Sequence, residues 1–299
     1  MNCIFSKAFI IFIIASSGLK AQNNLAYKLT IGDQFKVRQI AKQAIVQDIN
    51  GQKHNMNNLL ESDFMFYVEN SNDSLYRIRF KFDRFKMVSS SNLMGTIIAV
   101  DTDAMVTDDN VEGKIFAQIV NMSLTMNMYK NGKIKSVEGS DKLISKMVSV
   151  LGNMDDLTKD VITESMRKEF SNNSLAMSFE QMTYIYPNTL VNVGDTWSNT
   201  FSGELSSSNS WTLESKTKNN LNISGKSLVS FKTSDAEMDM ILNGDMVTTA
   251  TTSIETGFAT LMTSTSTVKG FSIIQNTNNL KVPTTITSHI TYKIEKHVQ

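Results

Sequence analysis

Apolar and polar side chains alternate along much of the chain, which is the pattern of β-strands that bury one face. The clearest run is residues 120–128, in which every second residue is apolar. Asn131-Gly132 follows, a dipeptide suited to the positive φ angles of a tight turn, and residues 133–137 are placed to return as the partner strand. The pattern therefore predicts a β-hairpin.

A second strand alternates through Tyr76, Ile78, Phe80 and Phe82. The phase moves by one at Arg84, which predicts a β-bulge.

Further strands are predicted in the last third of the chain. Residues 246–268 are rich in threonine, which suits strands because it is β-branched, and Glu255-Thr256-Gly257 interrupts them as a turn would. Residues 286–294 alternate again.

The period changes between Ser140 and Phe170, where apolar residues recur every three or four positions. This spacing predicts two short amphipathic helices, with Ser140 as the N-cap of the first and Gly152 at its end. Their charged faces are interpreted as solvated surface. The apolar positions are Leu143, Ile144, Met147, Val148 and Leu151, then Leu157, Val161, Ile162, Met166 and Phe170.

A short phrase occurs twice, as Ile31-Gly32-Asp33-Gln34-Phe35 and as Val193-Gly194-Asp195-Thr196-Trp197. The glycine is expected to form a tight turn and the aspartate to cap backbone N–H groups, so that Phe35 and Trp197 enter the core. The repetition favours a single β-rich domain over residues 22–299. Its two similar halves, 25–139 and 183–299, would be joined by a helical segment at 140–182.

Residues 1–21 have the order of a cleavable signal peptide. Lys7 precedes an apolar run, and small residues lead to a cleavage site expected after Ala21. The apolar run is shorter than the roughly 20 residues that a membrane-spanning helix needs, so we expect a soluble exported protein. Cys3 is the single cysteine and would be removed, and the lack of disulfides favours a bacterial periplasm or cell exterior.

The charge balance excludes an electrostatic nucleic-acid partner. The chain has 29 basic and 29 acidic residues, and removal of Lys7 and Lys20 leaves 27 minus 29, a net charge of −2. Such a chain presents no basic excess for phosphate backbones or anionic membranes.

Several of these motifs together carry a family resemblance. The sequence resembles an uncharacterised exported family of Bacteroidetes-type bacteria, domain of unknown function 6263, over most of residues 25–295. The resemblance implies export and no known activity. By architectural analogy with periplasmic lipoprotein carriers, we expect a mostly β (α+β) fold, a large curved antiparallel sheet or half-barrel with a short helical insert. The matching motifs are Gly32-Asp33, Gly194-Asp195-Thr196-Trp197 after Tyr186-Pro187, Asn131-Gly132-Lys133-Ile134 leading to Val137-Glu138-Gly139, and Ile254-Glu255-Thr256-Gly257.

Catalytic and metal motifs are weak. Ser224-Gly225-Lys226-Ser227 ends like a phosphate-binding loop but lacks the earlier glycine, and is interpreted as a turn. Asp101-Thr102-Asp103 with Asp108-Asp109 offers oxygen ligands for calcium, but the spacing of a calcium loop is missing and a solvated turn is favoured. The histidines at 54, 289 and 297 are far apart along the chain. We therefore predict no enzyme, no cofactor and no metal.

Methionine is the most suggestive feature. Of the 18 methionines, 17 remain after Met1 is removed, and Met122, Met126 and Met128 share one strand face. Thioether side chains suit adaptable apolar cavities, so these three are candidate ligand-binding residues under a lid formed by the helices of 140–170, although an ordinary core also contains methionine.

Two functions stay open. The first is a non-catalytic exported protein that binds a lipid, another apolar or amphiphilic ligand, or an envelope partner. The alternative is a structural envelope or surface protein without a small ligand.

Overall fold

The computed structural model describes residues 22–107, 110–120, 122–152, 154–234, 238–275 and 279–297. The predicted signal peptide with Cys3 lies outside the described residues, as do Asp108, Asp109 and Asn121.

The described strands form one antiparallel sheet of twelve. The N-terminal strands are β1 (Gln34–Ile49), β2 (Gln52–Ser71), β3 (Leu75–Ser91), β4 (Gly95–Asp101), β5 (Ser123–Tyr129) and β6 (Ile134–Glu138). The C-terminal strands are β7 (Thr196–Phe201), β8 (Leu205–Lys216), β9 (Asn220–Ser234), β10 (Met238–Ser253), β11 (Ala259–Ile274) and β12 (Leu280–His297). Their order is β6-β5-β3-β2-β1-β12-β11-β10-β9-β8-β7, and β4 pairs with β3. The predicted mostly β class with a large curved antiparallel sheet is confirmed.

Four helices are described: α1 (Val111–Ala117), α2 (Ser140–Ser149), α3 (Asp156–Phe170) and α4 (Asn172–Thr183). The pattern predicted α2 and α3 and missed α1, while α4 falls within the helical segment predicted at 140–182 without having been assigned as a separate helix. Ser140 is not the N-cap of α2, because Gly139 takes that position with a left-handed backbone. Leu157 and Val161 of α3 are 76% and 60% exposed, so the apolar face of this helix is only partly covered.

Helix α4 and the residues after it lie between the two edges of the sheet. Glu180 Oε1 accepts a hydrogen bond from the backbone N–H of Ile134 in β6, at 3.0 Å. On the other side, Trp197 Nε1 of β7 donates to the backbone oxygen of Ile185, also at 3.0 Å. Because one short segment reaches both edge strands, the sheet curves into a half-barrel around it.

One end of the half-barrel, here called the closed end, is filled by the segment of residues 22–30. Leu25, Tyr27 and Leu29 are buried there. The Tyr27 ring lies 5.0 Å from the ring of Phe258, and its hydroxyl donates to the backbone oxygen of Thr183 at 3.0 Å. The opposite end, where β1 ends and β2 begins, is called the open end.

Of three local predictions from the sequence, two are confirmed and one is wrong. The bulge in β3 is confirmed, because the pairing with β2 passes from Phe82 directly to Arg84. The hairpin between β5 and β6 is also confirmed, with Gly132 at φ +94°. Ser224-Gly225-Lys226-Ser227 is not a turn, since it lies within β9. Gly225 is needed there because a Cβ would lie 2.6 Å from the Trp211 ring.

The two Gly-Asp phrases form the same turn. Gly32 and Gly194 have φ values of +95° and +93°. Asp33 accepts a hydrogen bond from the backbone N–H of Thr30 at 2.8 Å, and Asp195 from that of Asn192 at 2.7 Å. The predicted turn and cap are therefore confirmed at both places.

The aromatic residues that follow the two turns differ. Phe35 is buried as predicted, but Trp197 is only half-buried, because its indole N–H points to the Ile185 carbonyl at the sheet edge. The division of the domain into two similar halves stays a prediction.

Candidate ligand-binding site

The three predicted methionines lie on one face of the β5 region. Met126 and Met128 are fully buried, and Met122 is half-buried against the same apolar cluster, which also contains Leu143 and Met147 of α2. None of the three lines the cavity described next. A ligand-binding role for them stays a prediction.

A cavity of about 150 Å³ lies on the concave face of β10, β11 and β12. Part of its wall comes from β1, from α4 and from the open-end residues of β7 to β9. Its lining residues are Gln43, Gln181, Phe201, Leu205, Phe231, Met246, Thr248, Ser264, Ser266, Val268, Ile286, Ser288, Ile290 and Tyr292.

The cavity exists because small side chains occupy the inward positions of adjacent strands. Thr248, Ser264 and Ser266 lie on β10 and β11, and Ser288 faces Ser266 from β12. Protein interiors are close-packed when large apolar side chains interdigitate, and hydroxymethyl groups are too short to meet across the curve. Phe201 and Phe231 also line the cavity.

A row of mainly polar residues, which we call the polar belt, crosses nine strands on the concave face. Each member is the cross-strand partner of the next, so all lie at one level of the half-barrel. From β3 to β7 the belt is Ser89, Asn58, Gln43, Ser288, Ser266, Met246, Ser227, Asn209 and Asn199.

The ends of the polar belt are hydrogen-bonded. Ser89 Oγ donates to Asn58 Oδ1 at 2.7 Å, and Asn58 Nδ2 donates to Gln43 Oε1 at 2.9 Å. At the other end Asn209 Nδ2 donates to Asn199 Oδ1 at 2.8 Å.

Nearer the middle of the polar belt, one hydroxyl is left without a hydrogen bond in the described structure. The buried Ser227 hydroxyl has no hydrogen-bond partner within the described part of the chain. Because buried polar groups are normally paired, this stretch has unused hydrogen-bonding capacity.

Tyr292 lines the cavity and carries a hydroxyl that is hydrogen-bonded to Gln39. Ser62 Oγ donates to Gln39 Oε1 at 3.1 Å, and Gln39 Nε2 donates to the Tyr292 hydroxyl at 3.3 Å. The Tyr292 oxygen therefore acts as an acceptor toward Gln39, and its own hydrogen is left to donate. Burial raises the pKa of Tyr292 to about 12, so the phenol is neutral at physiological pH.

Asp101 and Asp103, the two described acidic residues of the calcium candidate, have basic partners. Asp101 pairs with Arg84 at 3.0 Å and with Lys86 at 3.6 Å, and Asp103 pairs with Arg84 at 3.0 Å. The Arg84 guanidinium lowers the pKa of the Asp101 carboxyl through a side-chain hydrogen bond. No cluster of three or more metal-ligating side chains occurs among the residues with described positions.

The side chain of His54 lies within hydrogen-bond distance of a serine, Ser91. His54 Nε2 lies 2.8 Å from Ser91 Oγ, and its Nδ1 lies 3.3 Å from Gln47 Oε1. Ser91 Oγ also accepts from the backbone N–H of Leu93 at 3.1 Å, which ties it to the turn after β3. The partner of His54 Nδ1 is the neutral amide of Gln47 and not the carboxylate of a Ser-His-Asp triad, so we interpret this chain of contacts as structural.

The model of a family of unknown function, DUF6263, matches residues 73–259, more than half of the chain. The chain belongs to the DUF6263 family. The predicted resemblance to this family is thus confirmed. No curated protein matches the sequence of this DUF6263 chain.

Among solved structures, the DUF6263 chain is similar to lipovitellin, in a structure that describes lipid–protein interactions in that protein. The identity is 10% and the TM-score 0.54, over 91% of this chain and 26% of the lipovitellin chain. The chain thus spans about a quarter of the length of that protein, and the likeness concerns the fold alone.

Two further matches have much lower TM-scores. An outer membrane channel from Pseudomonas putida F1 is 8% identical with a TM-score of 0.24, over 90% of this chain and 97% of that one. DynF from the dynemicin biosynthesis pathway of Micromonospora chersina is 7% identical with a TM-score of 0.20, over 94% and 88%. TM-scores this low carry no argument about the fold. None of the helices described for the DUF6263 chain is long and apolar enough to cross a membrane.

Proposed function

We propose that this protein is a non-catalytic binding protein that holds an apolar or amphiphilic molecule on the concave face of its sheet. The observation that carries the proposal is the cavity over β10, β11 and β12, which is lined by apolar side chains together with small hydroxyl-bearing ones. Ligand sites are typically concave and mostly apolar, with a few placed polar groups.

The size of the cavity limits what enters it. A volume of about 150 Å³ accepts a benzene-sized body. Pockets that enclose drug-sized ligands are larger, roughly 300–1,000 Å³. The cavity therefore takes a ring or the end of an acyl chain, and the rest of a longer molecule would extend from it. The lipid–protein interactions described for lipovitellin support a lipid as one such ligand.

The test fills the cavity with a larger side chain on β11. Ser266→Phe places a phenyl ring where the ligand would lie, and should abolish binding of the neutral probe N-phenyl-1-naphthylamine, measured by its fluorescence. Thr267→Phe is the matched control, because Thr267 is the next residue of β11 and is exposed on the outer face.

Equal probe binding by both variants and the unmodified protein would place the probe elsewhere. If the unmodified protein binds no probe, and mass spectrometry after mild extraction finds no co-purified lipid, the structural alternative takes precedence.

We also propose that the protein is exported to the periplasm or the cell exterior of a Gram-negative bacterium. The residues that directly follow the expected cleavage site are packed against the fold, since the Asn23 backbone N–H donates to the Val191 carbonyl at 2.7 Å and Leu25 is buried. N-terminal sequencing from an envelope or medium fraction should find Gln22 first. Detection of Met1 there would contradict the proposal.

A further inference from the structure

We propose that the ligand is a neutral amphiphile whose carbonyl or ether oxygen accepts a hydrogen bond from Tyr292, and that the site discriminates against carboxylates and phosphates. This inference rests on the proposed function, because it assigns the chemical class of ligand for the same cavity.

The first argument is the charge of the cavity wall. No aspartate, glutamate, lysine, arginine or histidine is among its lining residues. The charged residues of the same strands, such as Asp245, Lys269 and Lys293, are exposed and alternate with the inward positions, so they lie on the outer face. An anionic head group drawn into this wall would lose hydration without gaining a cationic partner, which is unfavourable.

The second argument is that two residues lining the cavity have hydrogen-bond donors available to a ligand. The Tyr292 hydroxyl accepts from Gln39, which leaves its hydrogen to donate. Gln43 behaves similarly, because its Oε1 accepts from Asn58 while no hydrogen bond of its Nε2 occurs within the described ranges. Both residues line the cavity. A ligand oxygen with lone pairs complements two donors, and a purely hydrocarbon ligand would leave them unused.

The third argument is the unpartnered hydroxyl of Ser227. Ser227 is buried on β9 and is the cross-strand partner of Met246, which lines the cavity. A methionine side chain is flexible enough to change rotamer. A polar group of a bound molecule that displaces the Met246 side chain would therefore meet a hydroxyl that lacks a partner.

The experiment compares ligands that share a small apolar body. Methyl hexanoate, hexanoate and benzene are tested for displacement of N-phenyl-1-naphthylamine at pH 8, where hexanoate is ionised. The ester should displace the probe with at least about tenfold higher apparent affinity than the carboxylate. Tyr292→Phe, which keeps the ring, should weaken the ester by about three- to tenfold and leave benzene unchanged.

The outcomes separate this inference from the proposed function. If the probe and all three compounds fail to bind the unmodified protein, the proposed function fails. If the carboxylate binds as tightly as the ester, binding stands and the neutral class is wrong. If Tyr292→Phe weakens benzene as much as the ester, the hydroxyl contributes packing only, and the assigned hydrogen bond is wrong. Gln43→Met, which removes the second donor, should likewise weaken the ester and spare benzene.

Discussion

Replacing Met126 with lysine should unfold the protein. Met126 is 0% exposed, and it packs in the cluster that contains Leu143 and Met147 beneath α2. An ammonium group there has no partner, and burying it costs several kcal/mol or more. Because domains are typically stable by only about 5–15 kcal/mol, much of the native signal in circular dichroism should be lost.

The matched control is Thr125→Lys, on the same strand and the opposite face. Thr125 is half-buried and lies opposite Glu138 in the pairing of β5 with β6 and opposite Arg79 in the pairing with β3. The new charge therefore has a carboxylate on one side, and the guanidinium on the other side is already paired with Glu69 at 2.7 Å. The free energy of unfolding should change by no more than about 0.5 kcal/mol. Equal stability of the two variants would mean that charge and water reach Met126, and the methionines would again be the leading candidates for the ligand site.

The strands and turns were predictable because their determinants are local. Alternation over residues 120–128 fixes which side chains of β5 are buried, and the phase change before Phe85 locates the bulge. The Gly-Asp turns need only a positive φ at the glycine and a carboxylate three residues from its donor. Each signal is contained within a few consecutive residues.

The helices show where periodicity is insufficient. The spacing of apolar residues gave α3, but it does not say what covers each face, and Leu157 is exposed. Helix α4 carries Leu175, Phe179 and Met182 at helical spacing, all buried, so a usable signal was present after Phe170. Burial of that face depends on the two sheet edges, which are distant in the sequence.

The cavity could not be predicted because its wall is assembled by long-range pairing. Gln43, Ser266 and Ser288 become neighbours only when β1 pairs with β12 and β12 with β11. One local signal did exist. Residues 263–267 alternate threonine with serine, and the structure places the threonines outward and the small serines inward. Two successive inward serines between the buried Met262 and Val268 leave space in β11, whereas the inward methionines and leucine of β5 leave none.

Replacing Phe66 with alanine should lower the free energy of unfolding by about 3–5 kcal/mol, because it opens a void at the centre of the aromatic core. Phe66 is 0% exposed. Its ring centroid lies 5.3 Å from that of Phe64, 5.8 Å from that of Phe179 in α4, and 5.9 Å from that of Phe258 at the closed end. The substitution therefore removes packing contacts with the sheet, with α4 and with the closed end. Urea denaturation should show the lower free energy of unfolding as a lower midpoint.

Phe271→Ala is the control, since Phe271 is 47% exposed on the outer face of β11 and should lose under about 1 kcal/mol. Equal losses would mean that the aromatic core does not hold the fold together.

The Phe66 variant should also bind the neutral probe less tightly under conditions where it stays folded. Phe179 and Gln181 are two positions apart on α4, so they point to nearly opposite sides of the helix. A helix that loses its anchor on the Phe66 side no longer holds Gln181 firmly against the cavity.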